Sequence, residues 1–103
     1  MPRLLLSEDA DQDLDDIYTQ SVELFGLRQA DHYIDGLLDT LDRIAAFPRM
    51  ARLRDDVSPP IRAHAHQSHV ILYDVDDHED VLIIRIRHAH EDWQQLSEGT
   101  DQP

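Results

Sequence analysis

The stretch from Val70 to His88, VILYDVDDHEDVLIIRIRH, constrains the fold more than any other part of the chain. An apolar run ends at Tyr73 and Val75. Asp76, Asp77, His78 and Glu79 follow, and a second apolar run extends from Val81 to Ile86. Two runs rich in β-branched residues on either side of a short polar turn form a hairpin pattern. The turn holds no Gly, so it should be looser than a two-residue primed turn. Along the second run, period-two alternation puts Leu82, Ile84 and Ile86 on one face. Val81 and Ile83 take the other, which turns basic at Arg85 and Arg87. The first half of that strand reads as buried on both sides and the second half on one. A hairpin this short needs helices to cover it.

The preceding chain supplies two. Residues 3–6, RLLL, have strand length. Ser7 reads as a helix N-cap with Ala10 at the third helical position. Glu8, Asp9 and Asp11 fall in the first turn, where carboxylates complement exposed amides. Ala10, Leu14, Ile17, Tyr18, Ser21, Val22 and Phe25 recur at threes and fours as one stripe, and Gly26 ends the helix. A second stripe, Ala30, Tyr33, Ile34, Leu37, Leu38, Leu41, Ile44 and Ala45, stops before Pro48. Gly36 inside it costs about 1 kcal/mol relative to Ala and reads as a close approach to the first helix. Two helices joined at one Gly make an antiparallel αα-hairpin.

Residues 48–60 have no period and three Pro, and read as a loop. In 61–66, IRAHAH, the alternation places Ile61, Ala63 and Ala65 inward and Arg62, His64 and His66 on the other face. Gln67 and Ser68 turn the chain into the hairpin. The expected fold is α+β: an N-terminal strand, an α-helical hairpin, then a three-stranded antiparallel meander. One domain spans 1–96, with Trp93 and Leu96 the last residues able to pack and 97–103 a flexible tail.

The charge is unusual: 22 acidic residues against nine basic ones, all Arg, for a net −13. Such a surface repels phosphate backbones, so direct nucleic-acid binding is not expected. The four Arg of residues 48–62 (Arg49, Arg52, Arg54 and Arg62) face only Asp55 and Asp56, which makes this the one net-positive segment. If the sheet brought Arg62 near Arg85 and Arg87, most of the positive charge would lie in one area. The acidic runs Glu8–Asp16 and Asp74–Asp80 read as solvated surface. The absence of Cys excludes disulfides and Cys-ligated metals. The opening MPRLLLSEDAD has an apolar run of only three, neither a secretion signal nor a span, so a cytoplasmic protein with no membrane partner is the default.

Five of the seven His (His64, His66, His69, His88 and His90) lie near strands, and two pairs of them share faces. Metal-free RNA cleavage needs a base, an acid and cations for the phosphate. Arg62, His64, Arg85, His88 and His90 are the residues that fit those roles. Edge-of-sheet His residues with hydrogen-bonding jobs are the commoner case, and no metal-ligand spacing such as HExxH is present. No catalytic site, metal site or cofactor follows from these residues. Arg52, Arg54, Arg62, Arg85, Arg87 and Trp93 are instead candidates for contact with a target or partner protein, captured at an exposed sheet edge or groove.

Five blocks in unbroken order from Leu4 to Trp93 resemble one known family: LLLSEDADQDLDDIY, FGLRQADHYIDGL, AAFPRMARLRDDV, IRAHAHQSHVILYDV and VLIIRIRHAHEDW. They look like ParE-type toxins of the RelE/ParE toxin–antitoxin superfamily. There the corresponding motifs are Leu-Ser followed by Ala-x-x-Asp-Leu, Trp-Gly-x-x-Gln-Ala, Ser-His-Val-Ile-Phe-Tyr and Arg-x-Leu-His. Phe25 stands where Trp is usual, Ala51 where Gly precedes Arg52, and Ile61 where Tyr is common. The resemblance implies a two-helix hairpin on a small antiparallel sheet. It implies a cognate antitoxin that folds across the toxin, giving a hetero-oligomer. It also implies inhibition of DNA gyrase by protein binding rather than by an enzymatic reaction. The RelE branch cuts ribosome-bound messenger RNA with Lys, Arg and a late Tyr. This chain has no Lys, and Asp92-Trp93 replaces the Tyr. Ribosome-dependent RNA cleavage remains the alternative, as does a non-toxic protein of this fold retained for antitoxin binding and operon autoregulation.

Overall fold

The computed structural model describes residues 3–90. Their order is β1 (Leu4–Leu6), α1 (Glu8–Phe25), α2 (Leu27–Ala46), β2 (Leu53–Arg54), β3 (Ile61–His66), β4 (His69–Val75) and β5 (Val81–His88). The strands form one sheet in the order β1-β5-β4-β3-β2. β1 runs parallel to β5 and every other pairing is antiparallel. This is the α+β class expected, with the N-terminal strand β1 added to the meander at its β5 edge. The one further strand among the described residues is a two-residue pairing within the Pro-containing loop.

Local chemistry sets the boundaries. The Ser7 hydroxyl accepts from the Ala10 amide at 2.9 Å and donates to the Ile84 carbonyl at 2.7 Å. One side chain thus starts α1 and fastens it to β5. Gly26 adopts φ 91°, ψ 168°, a conformation open essentially only to Gly, and its amide bonds back to the Val22 carbonyl. The β4–β5 turn is loose, as the lack of Gly suggested. Asp76 caps it by accepting from the His78 and Asp80 amides, and Glu79 takes a positive φ.

The core is a layer between the helical hairpin and one sheet face. Leu37, Leu41 and Ile44 of α2 and Ala10 and Ile17 of α1 pack on Ile71, Tyr73, Val81, Ile83 and Ile86. Each such large aliphatic side chain contributes about 1.5–3 kcal/mol by leaving water. A smaller cluster (Val57, Ile61, Val70 and Leu72) lies on the opposite sheet face, closed by the loop before β3.

Three face assignments differ from the sequence reading. β3 is inverted: Arg62 pairs with Tyr73 and His64 with Ile71, both helix-side core residues. Ile61 belongs instead to the cluster on the far face. β5 carries an irregularity, because Tyr73 pairs with Ile83 but Leu72 with Arg85. The extra residue, Ile84, resets the alternation, so Ile86 joins Val81 and Ile83 in the main core. Leu82 is exposed, so the first half of β5 is buried on one side only. Gly36 faces β3 rather than α1, since a Cβ there would lie 3.8 Å from the His66 ring. The expected tail from residue 97, and Trp93, lie outside the described residues.

Candidate functional site

The sequence nominated a basic strip on β3 and β5, and the structure divides it. Arg62 lies on the helix-side face, where its guanidinium donates to the Ala51 carbonyl at 2.6 Å. Arg85 and Arg87 pair with Leu72 and Val70 of the far face. Both reach the edge of β5, where they meet Asp13 of α1. The anticipated pooling of Arg62 with Arg85 and Arg87 therefore does not occur.

Asp13 is 6% exposed. Its carboxylate accepts two bonds from Arg85, Nε at 2.9 Å and Nη2 at 3.1 Å, and one from the Ile86 amide at 2.9 Å. Arg87 Nη1 stands 3.6 Å away. Burial by itself would push the Asp13 pKa up. The Arg85 bond, the Ile86 amide and the charges of Arg85 and Arg87 outweigh it and hold the carboxyl below its ordinary value. The group is thus an ion at neutral pH. It seals the edge amide of β5 beyond the end of β1 and joins α1 to the sheet. The acidic run around it is exposed, so the reading of that run as solvated surface fails at this one residue.

The remaining nominated Arg sit at the other end of the sheet. Arg54 forms a bidentate pair with Asp56, at 2.9 and 2.7 Å. Arg52 is exposed, and its charge helps Arg54 hold Asp56 below its ordinary pKa. Arg49 pairs with Glu79 across the surface. Tyr73, wholly buried, donates to the Pro48 carbonyl at 2.8 Å and ties this loop to the core.

The His residues divide as well. His66 lies under α2. The Thr40 hydroxyl donates to the Gly36 carbonyl (3.1 Å), so its oxygen accepts from His66 Nδ1 at 3.0 Å. That fixes the proton on Nδ1 and leaves Nε2 a buried lone pair without a hydrogen-bond partner among the described residues. Burial, the neighbouring His64 and Arg43 all lower the His66 pKa; burial and Arg43 lower that of His64. Directly across the β3–β4 turn from His66, the Tyr33 hydroxyl lies 2.7 Å from His69 Nδ1. The His69 ring meets that of His88 at 5.4 Å, and His88 meets His90 at 5.3 Å. Of the five candidates for RNA cleavage, His88 and His90 come together. Arg62 and Arg85 lie on different faces, and His64 faces α2. Among the described residues no group of three metal-binding side chains converges.

A groove of about 320 Å³ opens beside this His row. Its apolar wall is Ile17, Leu24 and Phe25 of α1, and its polar wall includes Tyr33, His69 and His88. Leu24 and Phe25 are 64% and 67% exposed, so the end of the α1 stripe does not pack into the core as its periodicity suggested.

Residues 4–93 match the family model described as the ParE toxin of the type II toxin–antitoxin system parDE. The chain belongs to the ParE toxin family. Toxin ParE1 of Mycobacterium tuberculosis is 32% identical over 90 residues, covering 87% of this chain and 92% of that protein. Toxin ParE1 of Caulobacter vibrioides is 39% identical over 83 residues, covering 81% and 84%. In fold the chain resembles a solved structure titled as the chromosomal ParDE toxin–antitoxin system from P. aeruginosa. That match has a TM-score of 0.74 and 21% identity and covers 85% of this chain and 96% of the other. No helix among the described residues is long and apolar enough to cross a membrane.

Proposed function

We propose that this ParE-family toxin acts by binding DNA gyrase, without an enzymatic step of its own, and is neutralised by a cognate antitoxin in a hetero-oligomer. The observation that carries the non-enzymatic part is the Asp13 bridge. Cleavage of an RNA phosphate calls for cations presented to the phosphate beside a proton donor and acceptor. Arg85 and Arg87, the cations nearest the His row in sequence, instead share a buried carboxylate. Arg62 is engaged with a backbone carbonyl on the other face. A net charge of −13 further opposes approach to nucleic acid by the toxin alone. It also suits an antitoxin whose toxin-binding part is basic. Gyrase as the target is what membership of the ParE rather than the RelE branch supports.

Expression in cells without the antitoxin tests this reading. Growth arrest with a DNA-damage response, and unchanged 5′ ends in translated messages, is the expected outcome. New 5′ ends within those messages would overturn it in favour of ribosome-dependent cleavage. Undisturbed growth at full expression would favour a protein kept only for antitoxin binding.

A further inference from the structure

The groove beside Tyr33 presents an apolar wall that no described residue covers, and the chain is led directly to it. β5 ends at His88, which lines the groove. The Ala89 amide then donates to the carbonyl of Ser68, another lining residue, at 2.7 Å. From that anchored point the sequence continues EDWQQL, residues 91–96. Trp93 and Leu96 are the only large apolar residues after His90, and they are three apart, the spacing that puts two side chains on one side of a turn. Trp93 follows His88 by five residues, at most about 17 Å of chain, so only nearby surface is within its reach.

The chemistry of the groove suits an indole. Leu24 and Phe25 supply apolar area, and Gln20, Gln29 and Gln67 on its borders carry amide oxygens that can accept from an indole N–H. We propose that the segment around Trp93 and Leu96 of the same chain docks in this groove, covering the exposed end of the α1 stripe. A partner segment entering the groove would then have to expel it.

Trp93 is the only Trp, so tryptophan fluorescence reports on the surroundings of this one residue. In the native full-length protein its emission should be blue-shifted from that of the urea-unfolded chain, with several-fold weaker acrylamide quenching. The double substitution Leu24→Gln/Phe25→Gln, at two exposed positions, should move both readings most of the way to the unfolded values while far-UV circular dichroism is unchanged. As a second measurement, Gln20→Cys with Leu96→Cys should close an intramolecular disulfide on mild oxidation, in a chain with no other Cys. Native quenching equal to that of the unfolded chain overturns the proposal. Protection that the groove substitutions leave unmoved also overturns it, because Trp93 is then buried elsewhere. Protection lost on dilution overturns it in favour of a second copy of the chain.

Discussion

Replacing Asp13 by Asn keeps the size of the side chain and one acceptor for the Ile86 amide but removes the charge that Arg85 and Arg87 share. Hydrogen bonds involving charged groups each contribute about 1.5–3 kcal/mol, and Asp13 accepts two from Arg85. The Arg85 and Arg87 side chains keep 27% and 24% of their surface exposed, so water can re-solvate them in part. Breaking a fully buried pair costs about 3–5 kcal/mol, and with that discount Asp13→Asn should lose about 2–3 kcal/mol. For a domain of this size each kcal/mol shifts the melting temperature by about 4–8 °C, so Tm should fall by roughly 10–20 °C. Urea and thermal unfolding followed by circular dichroism measure both, with Asp15→Asn, an exposed site on the same helix, as the control. The pH dependence is a second signature. Asp13 has a folded pKa below its ordinary 3.8, so its contribution is present above that value and is lost as pH falls through the folded pKa. Wild type should therefore lose stability below about pH 4 more steeply than Asp13→Asn. A variant within about 0.5 kcal/mol of wild type, with an unchanged acid limb, would refute the assignment of Asp13 as the clasp between α1 and β5.

Ser7→Ala removes both the cap of α1 and its bond to Ile84, and should destabilise by about 1–2 kcal/mol in urea unfolding. Gly26→Ala meets no atom within 4 Å but must hold φ +91°, so the loss of about 1–3 kcal/mol should arise from backbone strain alone, and Gly26→Asn should also be unfavourable. His66 has a folded pKa below its ordinary 6.5, so the folded protein binds fewer protons than the unfolded chain and stability should decline as pH falls through 6.5. Unfolding curves at pH 7.5 and 5.5 check this; the decline should be smaller in His66→Asn, which has no imidazole to protonate.

Much of the fold was legible because local chemistry and tertiary need coincide. Ser7, Gly26 and the Val70–His88 hairpin each carry a signal within a few residues, and each does in the structure what that signal implies. β3 misled because Ala63 and Ala65 look like core and His64 and His66 like surface. The hydrogen bond from His66 to Thr40 is what holds an imidazole beneath α2, and it is long-range. The extra residue at Ile84 breaks the alternation without any Gly or Pro to announce it. A two-residue strand such as β2 is too short for periodicity to find. Asp13 was legible in principle. It lies three residues after Ala10 and four before Ile17, so it falls on the apolar stripe itself, where a carboxylate implies a buried cationic partner. Its seven-residue acidic-rich neighbourhood, Glu8–Asp16 less the two stripe residues Ala10 and Leu14, concealed it among solvated carboxylates.

The most direct test of the functional account is a supercoiling assay with purified gyrase, relaxed plasmid and the purified full chain. Concentration-dependent loss of supercoiling, reversed by adding the cognate antitoxin, is the result the account predicts. Supercoiling unaffected at a large molar excess of folded toxin over gyrase would contradict it.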